Sequence, residues 1–228
     1  MAADHVIPAL YAFCVAPLES PALFDTVCAA VSPARREKAL RFRQAADQRL
    51  SLGAGLLLRH ALREAGLSAQ GDEPDSGPEG KPFLSGSGFC FNLSHSGDWA
   101  LCAAAPFDVG CDVERVRPVD LSLSRRFHPD EAAALLALPT EEARLELFFR
   151  LWTLKESFMK VTGLGMALPL KAFRIIPGDA PAVLQSVDDR IYRFREYAEI
   201  PGCKCAVCAA GDWGETPLQI VTAEVLLK

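Results

Sequence analysis

Two carboxylates, Asp112 and Glu114, stand two residues apart in G-C-D-V-E-R-V-R-P, a stretch that otherwise reads as a β-strand. Along a strand successive side chains alternate faces, so Gly110, Asp112 and Glu114 share one face while Val109, Cys111 and Val113 share the other. The apolar face can be buried. Like charges side by side raise each other's proton affinity unless a cation or water separates them. A hard divalent cation resolves the conflict, because Mg²⁺ prefers one or two carboxylates together with phosphates and waters. A solvated edge-strand face resolves it equally well, and the two acids alone leave both readings open.

A third acid lies in F-F-R-L-W-T-L-K-E-S-F-M-K. Trp152, Glu156 and Lys160 recur at helical spacing on one stripe, while Leu147, Leu151, Leu154 and Phe158 make the apolar stripe. Lys155 is the chain neighbour of Glu156. A plain surface ion pair between Glu156 and Lys160 would account for that spacing without any chemistry. Upstream, F-N-L-S-H-S-G places Ser94, His95 and Ser96 between a strand and a turn, offering hydroxyl and imidazole donors to an anion. No nucleophile elbow of the G-x-S-x-G type accompanies them.

These residues need elements to hold them. The start, through A-L-Y-A-F-C-V, reads as a first strand and carries no basic leader. S-P-A-R-R-E-K-A-L opens a helix with Ser32 as N-cap and Pro33 at its first position, and a second helix runs from about Ala45 to Ala65. A turn-rich segment, A-Q-G-D-E-P-D-S-G-P-E-G-K-P, reads as a loop. The run from Phe89 to Glu114 then reads as three strands in a meander. The second half repeats the order. His128-Pro129 opens a helix 96 residues after Ser32-Pro33, and the same offset carries Arg59 onto Lys155 and His60 onto Glu156. C-A-V-C-A-A (205–210) echoes A-L-C-A-A-A (100–105). Two similar α+β halves, residues 1–108 and 109–228, packed as a pseudo-dimer around a cleft is the economical architecture.

With 228 residues, half of them hydrophobic, the chain can bury a sizeable core. A net charge of −5 argues against general nucleic-acid binding, so any anion site must be local. No uncharged run reaches membrane-spanning length. The eight cysteines sit in apolar runs, as reduced thiols of a cytoplasmic protein would. Cys203, Cys205 and Cys208 lack a fourth ligand at zinc-site spacing, and strand core is the better account of them.

Taken in order, S-P-x-R-R-E-K, Arg49, G-K-P at 80–82, F-N-L-S-H-S-G, G-x-D-x-E and W-T-L-K-E-S-x-x-K resemble the 4'-phosphopantetheinyl transferases of the surfactin-synthetase type, over about residues 30–210. The resemblance implies transfer of phosphopantetheine from coenzyme A to a serine of an acyl or peptidyl carrier protein, releasing adenosine 3',5'-bisphosphate. It implies that Asp112, Glu114 and Glu156 hold Mg²⁺, or Mn²⁺ in its place. Glu156 would also act as general base, and Lys155 and Lys160 would neutralise the diphosphate. Lys38, Arg49 and His95 match positions that grip the 3'-phosphate, with Arg35 nearby and Ser94 assisting. Lys81 and Pro82 match the loop that borders the adenine. Cys111 replaces a usual aliphatic residue, and Arg35 stands where Lys is common. A doubled chain is expected to be a monomer. The readings to be separated from this one are a Mg²⁺-dependent phosphohydrolase and a non-catalytic carrier-binding module.

Overall fold

The computed structural model describes residues 8–67, 74–77 and 80–228, so the extreme N-terminus and half of the turn-rich segment lie outside the described residues. The N-terminal half is built from β1 (Ala9–Cys14), α1 (Pro21–Ala30), α2 (Pro33–Leu40), α3 (Ala45–Glu64), β2 (Asp75–Ser76), β3 (Pro82–Phe83), β4 (Cys90–Ser96) and β5 (Trp99–Ala105). The C-terminal half follows with β6 (Val109–Arg115), α4 (Pro129–Leu136), α5 (Glu141–Thr162), β7 (Arg174–Ile176), β8 (Ala182–Leu184), β9 (Arg193–Tyr197) and β10 (Cys203–Ala209). The chain closes with β11 (Leu218–Ile220) and α6 (Ala223–Leu226).

The helix starts follow their sequence signals. Ser32 accepts from the backbone N–H of Arg35, with Pro33 at the first position of α2. His128 and Glu131 form a reciprocal capping box at α4. α5 begins at Thr140, which accepts from Ala143 N–H, and stops at Gly163, whose φ of 76° only a glycine adopts freely.

Two sheets carry the doubled pattern. One has the order β11-β1-β5-β4, the other β6-β10-β9. In each half the strand that precedes the helices, β1 or β6, pairs antiparallel with a central strand, β5 or β10, which pairs in turn with β4 or β9. The expected meander is therefore broken: β4 and β5 form a hairpin, but β6 leaves for the other sheet. The C-terminal segment also departs from the expected division at residue 108. β11 adds in parallel to β1, and Leu226 of α6 is buried in the N-terminal core, so the end of the chain returns to the first half.

Every central strand is buried on both faces. Leu10, Ala12, Leu101, Ala103, Val109, Cys111, Val113, Cys205 and Val207 form one core between the sheets. The alternate residues face a helix instead: Tyr11, Phe13, Ala100 and Cys102 pack with α3, while Ala206 and Cys208 pack with α5. Cys205 and Cys208 thus sit on opposite faces of β10, as strand-core residues do. The same alternation corrects the strand echo, because Ala100 and Cys102 face a helix where Cys205 and Val207 face a sheet. The echo runs one residue out of phase.

Gly110 brings α5 down onto β6. A Cβ there would lie 2.2 Å from Ser157 O and 2.5 Å from Val161 N, so no larger residue permits this approach. Among the described residues no helix is long and apolar enough to cross a membrane.

Candidate active site

The close approach at Gly110 places the polar turns of α5 over the acidic face of β6. Lys160 Nζ lies 2.7 Å from Asp112 Oδ1 and also donates to Cys111 O at 3.0 Å and Ser94 Oγ at 3.2 Å. Asp112 is buried, and its other oxygen, Oδ2, has no hydrogen-bond partner among the described residues. Glu156 is one turn before Lys160. Burial, then the charges of Asp112 and Glu114, raise its proton affinity against the opposing pull of Lys160. Glu114 is raised by burial and by Asp112, with the hydrogen bond from Ser96 pulling the other way. Burial alone would lower the Lys160 ammonium, but the surrounding acids, Asp112 foremost, hold it above its ordinary value. His95, at the end of β4, is lowered by shielding of its ring and then by the charge of Lys160.

Three carboxylates thus share one ammonium. An acidic cluster with a buried, unpartnered Asp oxygen suits a hard divalent cation, which replaces the missing hydrogen-bond donor and relieves the mutual repulsion. Among the described residues no group of three or more His, Cys, Asp or Glu side chains is placed to hold a metal ion. Mg²⁺ does not need one, since it usually keeps several waters and takes substrate phosphate oxygens.

The residues expected from sequence fall into three groups. Asp112, Glu114, Glu156, Lys160, Ser94 and His95 converge on one groove between the halves. Lys155 does not join them, and its expected role at the diphosphate is corrected. Its side chain is fully buried on the far side of α5, where Nζ pairs with Glu131 at 2.8 Å and donates to Leu170 O and Phe173 O at 2.9 Å each. It also lies 4.1 Å from the centre of the Phe173 ring. Adjacent helical residues point about 100° apart, so Lys155 follows the apolar stripe rather than Glu156.

The third group lies on the N-terminal half. Lys38 is exposed on α2, and Arg35 lies along α3, where the absence of a Cβ at Gly55 leaves it room. Arg49 turns toward Glu19 at 3.3 Å, with its Nε buried and unpartnered. Neither Lys38 nor Arg49 contacts His95 among the described residues; Asp47, in the first turn of α3, is the residue of that helix whose charge reaches His95. Lys81 reaches across the halves to Val161 O at 3.1 Å and pairs with Asp108 of its own half at 3.3 Å. With Pro82, Asn92, Leu93, Met159, Lys160 and the glycines 163 and 165 it lines a cavity of about 220 Å³ that opens beside the acidic groove.

Residues 108–208 match the family described as the 4'-phosphopantetheinyl transferase superfamily, and residues 18–107 match that described as 4'-phosphopantetheinyl transferase, N-terminal. The chain is 34% identical to 4'-phosphopantetheinyl transferase psf-1 of Bacillus pumilus over 203 residues, covering 87% of each chain. The chain belongs to the 4'-phosphopantetheinyl transferase family. It is also 31% identical to 4'-phosphopantetheinyl transferase Sfp of Bacillus subtilis strain 168, covering 86% of this chain and 90% of that one. To 4'-phosphopantetheinyl transferase HetI of a Nostoc strain it is 36% identical over 172 residues, covering 72% of this chain and 71% of that one.

Within this family member, sequence reasoning missed the residues that join β4 to β6. Asn92 Oδ1 accepts from Cys111 N–H at 2.9 Å, Ser94 Oγ from Val113 N–H at 3.3 Å, and Ser96 Oγ from Arg115 N–H at 3.1 Å. The period-2 spacing of N-x-S-x-S was legible, but its register against β6 was not. Glu131, the partner of Lys155, was missed as well. Its place as the third helical residue after His128 marked it only as a cap.

Proposed function

We propose that this chain transfers 4'-phosphopantetheine from coenzyme A to a serine hydroxyl of an apo acyl or peptidyl carrier protein, releasing adenosine 3',5'-bisphosphate, with Asp112, Glu114 and Glu156 as the divalent-cation site. The observation that carries this reading is the unpartnered buried Asp112 Oδ2, flanked by two further acids and Lys160 in one groove. A bound Mg²⁺, or Mn²⁺, would offset the charge that builds on the diphosphate as the phosphorus is attacked. Lys160, held by Asp112, contributes a fixed positive charge on the same side. Glu156 takes the proton of the incoming serine. Asp112 is tied to Lys160 and Ser94, and Glu114 to Ser96, whereas no hydrogen bond holds the Glu156 carboxylate among the described residues. The cavity beside Lys81, Pro82 and Lys160 receives part of coenzyme A, and His95 with the basic residues of α2 and α3 supports recognition of its 3'-phosphate. The carrier's acidic helix meets the groove from the less matched stretches at residues 118–129 and 137–144.

Two halves in one chain already make the groove, which supports action as a monomer. Eight free thiols suit a reducing, cytoplasmic setting. The test is chromatography of the nucleotide products from coenzyme A and Mg²⁺, with and without an apo carrier. Release of adenosine 3',5'-bisphosphate only when the carrier is present supports transfer. Release without it would make the chain a hydrolase, and no release in either case would make it a binding module.

A further inference from the structure

The two sheets meet along β4 and β6 without a backbone ladder between them. Asn92, Ser94 and Ser96, alternate residues of β4, accept in turn from the backbone N–H groups of Cys111, Val113 and Arg115, alternate residues of β6. Side chains thereby supply the rungs that main-chain carbonyls supply elsewhere in a sheet. The serines do a second thing that Asn92 does not. A hydroxyl has one proton to give, and with its oxygen engaged by the backbone that proton points onward. Ser94 donates it to Asp112 Oδ1 at 2.8 Å, and Ser96 donates it to Glu114 Oε2 at 2.8 Å. In each acid one oxygen is fixed by a donor that is itself fixed by β6.

We propose that Ser96 is a positioning residue for the cation site: its hydroxyl, locked by Arg115 N–H, holds Glu114 with one carboxylate oxygen occupied and the other turned to the groove. Ser94 does the same for Asp112, where the remaining oxygen is the unpartnered Oδ2. The pair makes the orientation of both strand acids depend on the N-terminal half, although every acid belongs to the C-terminal half. The inference rests on the cation-site reading above and goes beyond it in assigning Ser96, whose hydroxyl acts through Glu114.

The test compares Ser96→Thr with Ser96→Val, two β-branched side chains of the same shape that differ in the hydroxyl, alongside Ser96→Ala and Asp112→Ala. Free Mn²⁺ is titrated by electron paramagnetic resonance with coenzyme A present, and the Mg²⁺ dependence of transfer is measured in parallel. Ser96→Val and Ser96→Ala should weaken Mn²⁺ binding about tenfold, within the range that outer-shell partners typically contribute. Ser96→Thr should stay within about twofold of wild type on the same scale. The kcat at saturating Mg²⁺ should be largely retained in all three Ser96 variants, the defect lying in the Mg²⁺ concentration required. A merely structural Ser96 would lower thermal stability without moving the metal requirement. Equal Mn²⁺ affinity for the Thr and Val variants, with binding lost in Asp112→Ala, would overturn the role of Ser96 and leave the cation site standing. Unchanged Mn²⁺ binding in Asp112→Ala would overturn the cation site itself, and the inference with it.

Discussion

The two halves of this molecule share a plan and differ in what lies between strand and helix. In the N-terminal half, β1 sends Tyr11 and Phe13 toward α3, and Tyr11 meets His60 edge to face with ring centres 4.7 Å apart. In the C-terminal half, β6 sends Gly110, Asp112 and Glu114 toward α5, with Glu156 and Lys160 above them. The tight contact is made by opposite partners. Gly53, on the helix, makes room for Val15 and Phe13, whereas Gly110, on the strand, makes room for the backbone of α5. Bulky strand residues therefore fill the first interface, and a bare strand position leaves the second open to polar groups. On the proposed function, one copy of the plan serves packing and the other chemistry. A groove between the halves lets the packed copy orient the reactive one through Ser94 and Ser96.

The sharpest way to break this comparison is at Asp112. Asp112→Ala should reduce transfer by more than about 100-fold, beyond what loss of an outer-shell partner causes, while circular dichroism remains that of the folded chain. The corresponding interface in the first half holds no such residue, so substitutions there should move stability rather than rate.

Lys155 and Arg59, which the 96-residue offset of the sequence sets against each other, sharpen the point on stability. Lys155→Met leaves Glu131 as a buried carboxylate without its cation and should cost about 3–5 kcal/mol in urea unfolding. Adding Glu131→Gln should recover a good part of it. Arg59 is only part-buried and donates to Ala30 O at 3.1 Å, so Arg59→Met should cost about 1.5–3 kcal/mol. A smaller loss at Lys155 than at Arg59 would contradict the assignment of Lys155 to the core.

The smallest effect concerns His60. Burial, ahead of its charged neighbours, holds its ring below the ordinary imidazole value, so the folded state favours the neutral form. The unfolded chain binds that proton more readily, and stability must fall as pH drops below about 6.5. His60→Gln should flatten the part of the acid-side slope that wild type shows below about pH 6.5, measured by urea unfolding at several pH values. An unchanged slope would mean that His60 titrates equally in both states.

Much of this was legible in the chain. Strand alternation alone placed Cys111 in the core and the two acids together, and the cap of α2 at Ser32 and the opening of α4 at Pro129 were read correctly. Lys155 was misplaced because its role was carried over from the resemblance, against its helical position, four residues after Leu151 and three before Phe158, which marked it as buried. The exchange of β6 into the second sheet, the return of β11 to β1 and the register of Ser94 and Ser96 against β6 are contacts between distant segments. Local pattern carries no record of them, because periodicity fixes which face a side chain takes and not which strand it meets.

The most direct test of the central claim is intact-mass measurement of an apo carrier protein incubated with coenzyme A, Mg²⁺ and either the wild-type chain or Asp112→Ala, each with an EDTA control. The account predicts a gain of one phosphopantetheine for wild type with Mg²⁺, and no gain with EDTA or with Asp112→Ala. Full modification by Asp112→Ala in Mg²⁺ would contradict it.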